Sequence, residues 1–513
     1  MSSEKKKIVI VGAGISGMTA GIYALDNDFE VEIYEKHFVA GGQCTGWNRN
    51  NVYIDGCAHW IVGTNKNSEF HDIWLHLGAF NQNTKIYPTE YFNKVDVNGK
   101  IVTLYSDVDT LKEEFLRVAP EDKKMINRFI RAIKAYRNIK VPIHKPIDHL
   151  NIFELISYGF SMLPVVPYLL KYMHVSVEEF ANKFKSIYLR ELFLRVMEND
   201  YNVHSLLYIM QALSKQDAGM VEGGSRMMAN NIKNNFISRG GKVFLNNEVD
   251  HILIENDKAK GIVLKNGKVV YADYVIASCD AYHTVNKLLQ GKYQDKYYES
   301  RFNNKKDNPL QQCFQLSFKV KKDMNPYPKM MNIKIKDYKI ADLIIDNISI
   351  RNHAFDNVLY KDSVALTVML KVNENVYDYL KTLTKEKYNE EKEKFGLAIK
   401  EEIKQYYEID EKDIELIDVT TPLTYERYTN AYRGSYMSFL TTKNVKGLMR
   451  IGLIKNLNNF VMSGQWIMAP GGLPIAIFTG KHAICRICKN EKKKFKELDK
   501  NISLNAADSL KCS

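Results

Sequence analysis

Lys7-Ile8-Val9-Ile10-Val11-Gly12-Ala13-Gly14-Ile15-Ser16-Gly17 decides the fold of this chain. The short apolar run Lys7–Val11 ends at a glycine turn and reads as a buried parallel strand. From Ile15 to Leu25 small and apolar residues recur at helical spacing, and Val31–Tyr34 reads as a second strand. A βαβ opening is thus complete in about 30 residues. Between strand and helix the glycines fit GxGxxG: Gly12 permits the tight turn, Gly14 lets a pyrophosphate approach the backbone, and Gly17 lets the helix pack on the strand. The unpaired N–H groups at the helix start, at Ile15 and Ser16, aided by the helix dipole, hold phosphates. Glu35 stands 23 positions after Gly12, at the end of the second strand, followed by Lys36. A carboxylate there accepts hydrogen bonds from ribose hydroxyls. It would also repel a 2′-phosphate, which removes NADP and leaves NAD and FAD.

The next residues choose between those two. Ala40-Gly41-Gly42-Gln43-Cys44-Thr45-Gly46-Trp47 places a second glycine pair where a simple NAD dehydrogenase continues as helix and strand. Gly41, Gly42, Gln43 and Thr45 bring backbone to the pyrophosphate and to the far side of the ligand, so FAD is the expected cofactor. This stretch resembles the phytoene-dehydrogenase-like branch of the FAD-dependent amine oxidase superfamily, which includes carotenoid desaturases, carotene isomerases and retinol saturases. Three further blocks carry the resemblance: Glu222-Gly223-Gly224-Ser225; Val249 together with Ala272-Asp273-Tyr274-Val275; and Ser463-Gly464-Gln465-Trp466 through Pro470-Gly471-Gly472-Leu473-Pro474 to Thr479-Gly480. The resemblance implies that Val249 touches adenine. It also implies that Gly464, Gln465, Gly472, Leu473 and Pro474 cap the flavin and ribityl chain. Two departures stand out. Asp55-Gly56-Cys57-Ala58-His59-Trp60 replaces the usual Gly-Pro after the aspartate and looks closer to the retinol-saturase side. Leu473 and Ile475 stand where the family often carries glycine.

The implied fold class is α/β: a Rossmann-type FAD-binding domain of the GR2 kind, assembled from discontinuous segments, with an inserted mixed α+β substrate domain. Residues 1–70, 215–289 and 441–492 read as the FAD domain, 71–214 and 290–440 as the substrate or lid domain, and 493–513 as a polar tail. From Phe70 to Gln211 the pattern reads as largely helical, with charged faces at Leu111–Tyr136 and Val177–Val196. Between these lies Ile152–Met173, apolar but interrupted by Pro164 and Pro167, so one regular helix is excluded. It reads either as a buried helical hairpin or as an amphipathic element that dips into a membrane beside a lipid-sized pocket. Later, Asn266-Gly267 marks a hairpin, and Lys385–Tyr407 a charged helix.

A chain of 513 residues exceeds one ordinary core. Its apolar content of 45% and charged content of 26% are those of a folded soluble protein. The net charge of +12 is lysine-rich and spread out. It reads as general composition or as attraction to an anionic membrane or acidic ligand; no nucleic-acid-binding signature accompanies it. Seven scattered cysteines suit a reducing compartment, and Cys485 and Cys488 read as two core-facing residues of one helix. With no signal peptide visible and no run of about 18 apolar residues, the expected location is cytoplasmic, with peripheral membrane contact.

Carbon–carbon redox is mainly flavin chemistry, for which the protein supplies orientation and a dry pocket. No metal site or Ser–His–Asp set is expected. His59 is the single candidate acid/base, also placed at the cofactor; Trp60 and Trp466 are candidate flavin walls or ordinary core. Three functions fit. The first is an oxidoreductase that desaturates, saturates or isomerises an apolar isoprenoid or other lipid. The second is an amine-oxidase-like flavoenzyme. The third is a non-catalytic prenyl-binding protein of the GDP-dissociation-inhibitor type, against which both glycine turns and Glu35 argue.

Overall fold

The computed structural model describes residues 5–57 and 60–497. Ile8, Val9 and Ile10 are fully buried because both faces of their strand are covered. This strand, β1 (Lys7–Val11), leads through the glycine turn into α1 (Ile15–Asp26) and then β2 (Glu30–Tyr34). A five-stranded sheet, parallel throughout, is built in the order Lys242–Phe244, β2, β1, Tyr274–Ala277, Phe460–Met462. Its strands therefore come from three well-separated stretches of chain.

Two helices clamp α1, leaving Ile15 through Ala24 all buried. The Leu473–Asn490 helix approaches so closely that a Cβ on Gly480 would lie 2.5 Å from the Ser16 carbonyl oxygen. The Gly224–Ser238 helix brings Phe236 to within 2.6 Å of a Cβ on Gly21. Cys485 and Cys488 are buried on the Leu473–Asn490 helix, as expected.

A second sheet of seven strands runs Ile414–Thr420, Gln312–Val320, Val364–Val372, Leu343–Asn352, Met330–Ile340, Tyr91–Val97, Lys100–Tyr105. The Lys385–Tyr407 helix covers it with Phe395, Ile399 and Ile403. Its last two strands correct the helical reading of Phe70–Gln211. Asn98 and Gly99 both take positive φ, +55° and +81°, and form the tight turn of a hairpin. Val177–Val196 likewise is two helices, Val177–Ala181 and Ile187–Val196. The break is held by Asp122, whose carboxylate accepts the N–H groups of Lys185 and Ser186 at 2.8–3.0 Å.

Ile152–Met173 forms two helices, Ile152–Met162 and Val166–Tyr172, bent by 71°. The buried-hairpin alternative is wrong: no residue of the first helix is buried, and Phe153, Phe160, Leu163 and Leu170 are exposed. Residues 491–497 pack back against α1 rather than trailing away. The Lys496 N–H bonds Asn27 at 2.7 Å and Phe495 meets the Tyr23 ring. The remainder of the polar tail lies outside the described residues.

Candidate active site

In open α/β sheets ligands bind outside the carboxyl ends of the parallel strands. Here those ends converge on one cavity of about 1230 Å³, larger than the ~300–1,000 Å³ typical of one small ligand. Val11 and Gly12 reach it from β1, Glu35 and Lys36 from β2, Ser278 to Asp280 from the third strand, and Gly464 to Trp466 from the fourth.

The glycine turn is built around Glu35. Its buried carboxylate accepts the Ala13 N–H at 2.8 Å and the His37 N–H at 2.9 Å. Burial raises its pKa, and those backbone bonds oppose the rise. Each oxygen retains a lone pair for a ribose hydroxyl. Gly12 takes φ +101° and donates its N–H to the Tyr34 carbonyl at 2.8 Å. No side chain caps the start of α1, so the N–H groups there are available to an anion. The second glycine pair closes on the first: the Gly41 N–H donates to the Ala13 carbonyl at 2.8 Å, and a Cβ on Gly42 would stand 3.3 Å from Gly14 Cα. Lys36 Nζ is held by Arg427 O at 3.0 Å and by Asn430, and burial lowers its pKa.

Three serines tie the strand ends together. Ser463 Oγ lies 3.0 Å from Ser16 Oγ and 2.6 Å from Ser278 Oγ. Beyond them, Gln465 reaches Gln43 at 3.3 Å, and Gln43 donates to the Ser435 carbonyl at 2.9 Å. Gly472 (φ +102°) precedes the Leu473–Asn490 helix, which has no side-chain cap and carries Pro474 in its first turn. That N-terminus also lines the cavity.

The sequence-predicted residues Gly12, Gly14, Ile15, Ser16, Glu35, Lys36, Gly41, Gly42, Gln43, Thr45, Trp60, Val249, Gly464, Gln465, Gly472, Leu473 and Pro474 all line this one cavity. Gly17 does not. It serves packing instead, because a Cβ there would sit 2.0 Å from the Gly12 carbonyl oxygen. His59 lies outside the described residues. The segment leading to it is anchored by Asp55, whose fully buried carboxylate accepts Ser225 N–H at 2.7 Å, Ser225 Oγ at 2.6 Å and Cys57 N–H at 2.9 Å. Burial raises the Asp55 pKa against these bonds. A Cβ on Gly224 would fall 2.5 Å from Asp55 Oδ2. The mid-chain glycine pair thus seats a helix start on Asp55.

Sequence reading missed Ser278, Cys279 and Asp280, although a buried strand followed by Ser-Cys-Asp was signal enough. Burial raises Asp280 to about 6. It also missed the side chains that Tyr201, His204 and Tyr208 turn to the cavity, for which no local signal exists. The same cavity extends to Tyr158, Met162, Leu169 and Met173 on the bent helical pair. Among the described residues no group of His, Cys, Asp or Glu could hold a metal ion.

A dinucleotide crevice at parallel strand ends, closed by a second glycine pair and a second helix N-terminus, defines an FAD-binding protein. Its donor set fits the cofactor: an available helix start for pyrophosphate, a buried carboxylate for ribose, and glycines where any Cβ would obstruct. Residues 15–305 match the family of flavin containing amine oxidoreductases, and the chain belongs to it; its cofactor is FAD. The chain is 23% identical over 310 residues to a phytoene desaturase (neurosporene-forming) of Rhodobacter capsulatus, covering 58% of this chain and 57% of that one. It is 23% identical to prolycopene isomerase 1 of an Oncidium hybrid cultivar, covering 56% and 50%. The match thus spans little more than half the length of these curated relatives. Solved structures share the fold: an oxidoreductase of Methanosarcina mazei (TM-score 0.59, 14% identity, 93% of this chain and 99% of that one) and putrescine oxidase bound to putrescine (TM-score 0.59, 12% identity, 95% and 99%).

Proposed function

We propose that this chain is an FAD-dependent oxidoreductase acting on carbon–carbon bonds of an apolar, carotenoid-like isoprenoid, which it takes from a membrane surface. One observation carries the reading: a single cavity joins the FAD crevice to the exposed apolar helical pair Ile152–Met162 and Val166–Tyr172. The desaturase and isomerase names of the relatives support it. Among the described residues no single helix is long and apolar enough to cross a membrane. A bent apolar pair beside Lys140, Lys145 and Lys171 instead suits a peripheral position on an anionic bilayer.

Bound FAD supplies acceptance or delivery of a hydride equivalent. The chain's own residues do the rest. Glu35 would hold the ribose, and the α1 N-terminus with Gly41 and Gly42 would hold the pyrophosphate. The uncapped Leu473–Asn490 helix start, which lines the cavity, would offer N–H groups and a positive dipole end to the cofactor. Trp60, Phe92, Met197 and Ile209 line the same cavity and exclude water from the reacting bond. His59, which the sequence offers as an acid/base, is the candidate to move a proton at the substrate carbon.

Purified protein should be yellow, with near one flavin per chain. Mixed anaerobically with isoprenoid polyenes, it should convert them or bleach. Bleaching by amines alone would overturn the reading in favour of an amine oxidase, and colourless protein that FAD cannot reconstitute would overturn both. Replacing His59 by Ala should cut turnover by about 10²-fold.

A further inference from the structure

We infer that the substrate carries an oxygen, as a hydroxyl or carbonyl, which His204 and Tyr208 of the Val203–Ser214 helix recognise. The inference rests on the apolar-substrate reading above and narrows it. His204, Ser205 and Tyr208 occupy one face of the helix, Tyr201 stands just before its N-cap Asn202, and all four line the cavity. Two of the four are already satisfied. The Tyr201 hydroxyl donates to Gln311. The Ser205 hydroxyl bonds Asn202 at 2.9 Å and Thr441 at 2.6 Å.

The other two are not. Tyr136 Oη lies 3.0 Å from His204 Nδ1. Tyr136 is fully buried, and its hydroxyl has no other partner among the described residues. If that hydroxyl accepted from Nδ1–H, its own proton would point unpaired into the core. Tyr136 therefore donates, Nδ1 accepts, and the ring proton sits on Nε2. Burial pushes His204 down to about 4, so the imidazole is neutral and carries a single N–H. Nε2 has no hydrogen-bond partner among the described residues, and neither has the Tyr208 hydroxyl. Burial, helped by Asp217, pushes Tyr208 up to about 12, so it keeps its proton.

His204 and Tyr208 are four residues apart and hence neighbours on the helix surface. They form a small polar patch in a cavity to which Ile139, Val141, Met162 and Leu169 contribute apolar wall. A pure hydrocarbon would strip water from both groups and return no hydrogen bond. An oxygen beside them accepts from Nε2–H and exchanges a bond with Tyr208. Sites built to bond a hydroxyl discriminate strongly against the analogue that lacks it. The relatives named for hydrocarbon carotenoids thus give way, in this chain, to an oxygenated isoprenoid.

The test uses the full FAD-loaded protein and two probes: geranylgeraniol, and the same chain with methyl replacing the terminal hydroxymethyl group. Binding is read from tryptophan quenching and the flavin spectrum. Wild type should bind the alcohol about tenfold tighter or more. His204→Leu should abolish the preference by weakening alcohol binding alone. His204→Gln, which keeps a side-chain N–H, should retain much of it. If His204→Leu loses flavin, Tyr208→Phe and His204→Gln carry the comparison. Equal binding of both probes by wild type, or a preference that survives His204→Leu combined with Tyr208→Phe, would overturn this inference and leave the apolar-substrate reading standing. Binding of neither probe, with bleaching by amines, would overturn both.

Discussion

Replacing Phe153 and Phe160 together by Ser should release the protein from membranes without touching the fold. In the Ile152–Met162 helix, Phe153 is 80% exposed and Phe160 67% exposed. Fully removing a side chain of this size from water contributes roughly 1.5–3 kcal/mol. Scaled by those exposures, the pair supplies ~2–4 kcal/mol to bilayer binding, or ~30- to 700-fold in partition. Neither ring belongs to a core, so thermal stability should stay within about 0.5 kcal/mol of wild type, and flavin content should not change. The assay is co-sedimentation with vesicles of neutral and of anionic lipid, titrated over lipid concentration. Binding by wild type should strengthen with anionic lipid and weaken with salt. Partition of the double variant within threefold of wild type would refute the assignment of this helical pair as the docking element.

Glu35→Ala should weaken FAD binding by about 10- to 100-fold, since it removes charge-assisted hydrogen bonds; titration of apoprotein with FAD measures it. Gly17→Ala should cost ~3 kcal/mol or more, because its Cβ meets the Gly12 carbonyl oxygen; a thermal midpoint near wild type would contradict that packing. The third prediction concerns pH. His144, then Lys481, hold Glu497 down to about 2 from 4.5, while Glu497, then Glu69, raise His144 to about 9 from 6.5. The Glu497 contribution is complete above about pH 4.5 and is lost as pH falls toward 2. That of His144 is complete below about pH 6.5 and is lost as pH rises through 9. The midpoint difference between wild type and Glu497→Gln should therefore peak between about pH 4.5 and 6.5. A difference constant across pH would refute the coupling.

The cofactor half of this molecule was written in local chemistry. Gly12, Gly14, Glu35 and the Gly41-Gly42 pair each do something at their own position in the chain, and the structure gathers them at the strand ends where such residues belong. Asn266-Gly267 announced its hairpin for the same reason. Asn98-Gly99 carried an equal signal, but the helical periodicity around it obscured the two strands it joins. The substrate half was not legible. Which face of the Val203–Ser214 helix looks into the cavity depends on how the inserted segments stack, and Tyr136 meets His204 across 68 residues. The 152–173 segment remained ambiguous because an apolar run looks the same in sequence whether it faces a core or a bilayer.

The interleaving of the FAD sheet has a consequence for biosynthesis. β1 pairs with Tyr274–Ala277, which pairs with Phe460–Met462, and the second of the two helices that clamp α1 is Leu473–Asn490. A ribosome must therefore emit nearly the whole chain before the crevice can close. Until then the apolar strand Tyr274–Ala277 waits with one edge unpaired, the kind of long-range pairing that folds slowly and recruits chaperones. FAD can act as a late template that captures the finished sheet. In riboflavin-starved cells this protein should accumulate as protease-sensitive or aggregated material rather than as stable apoprotein.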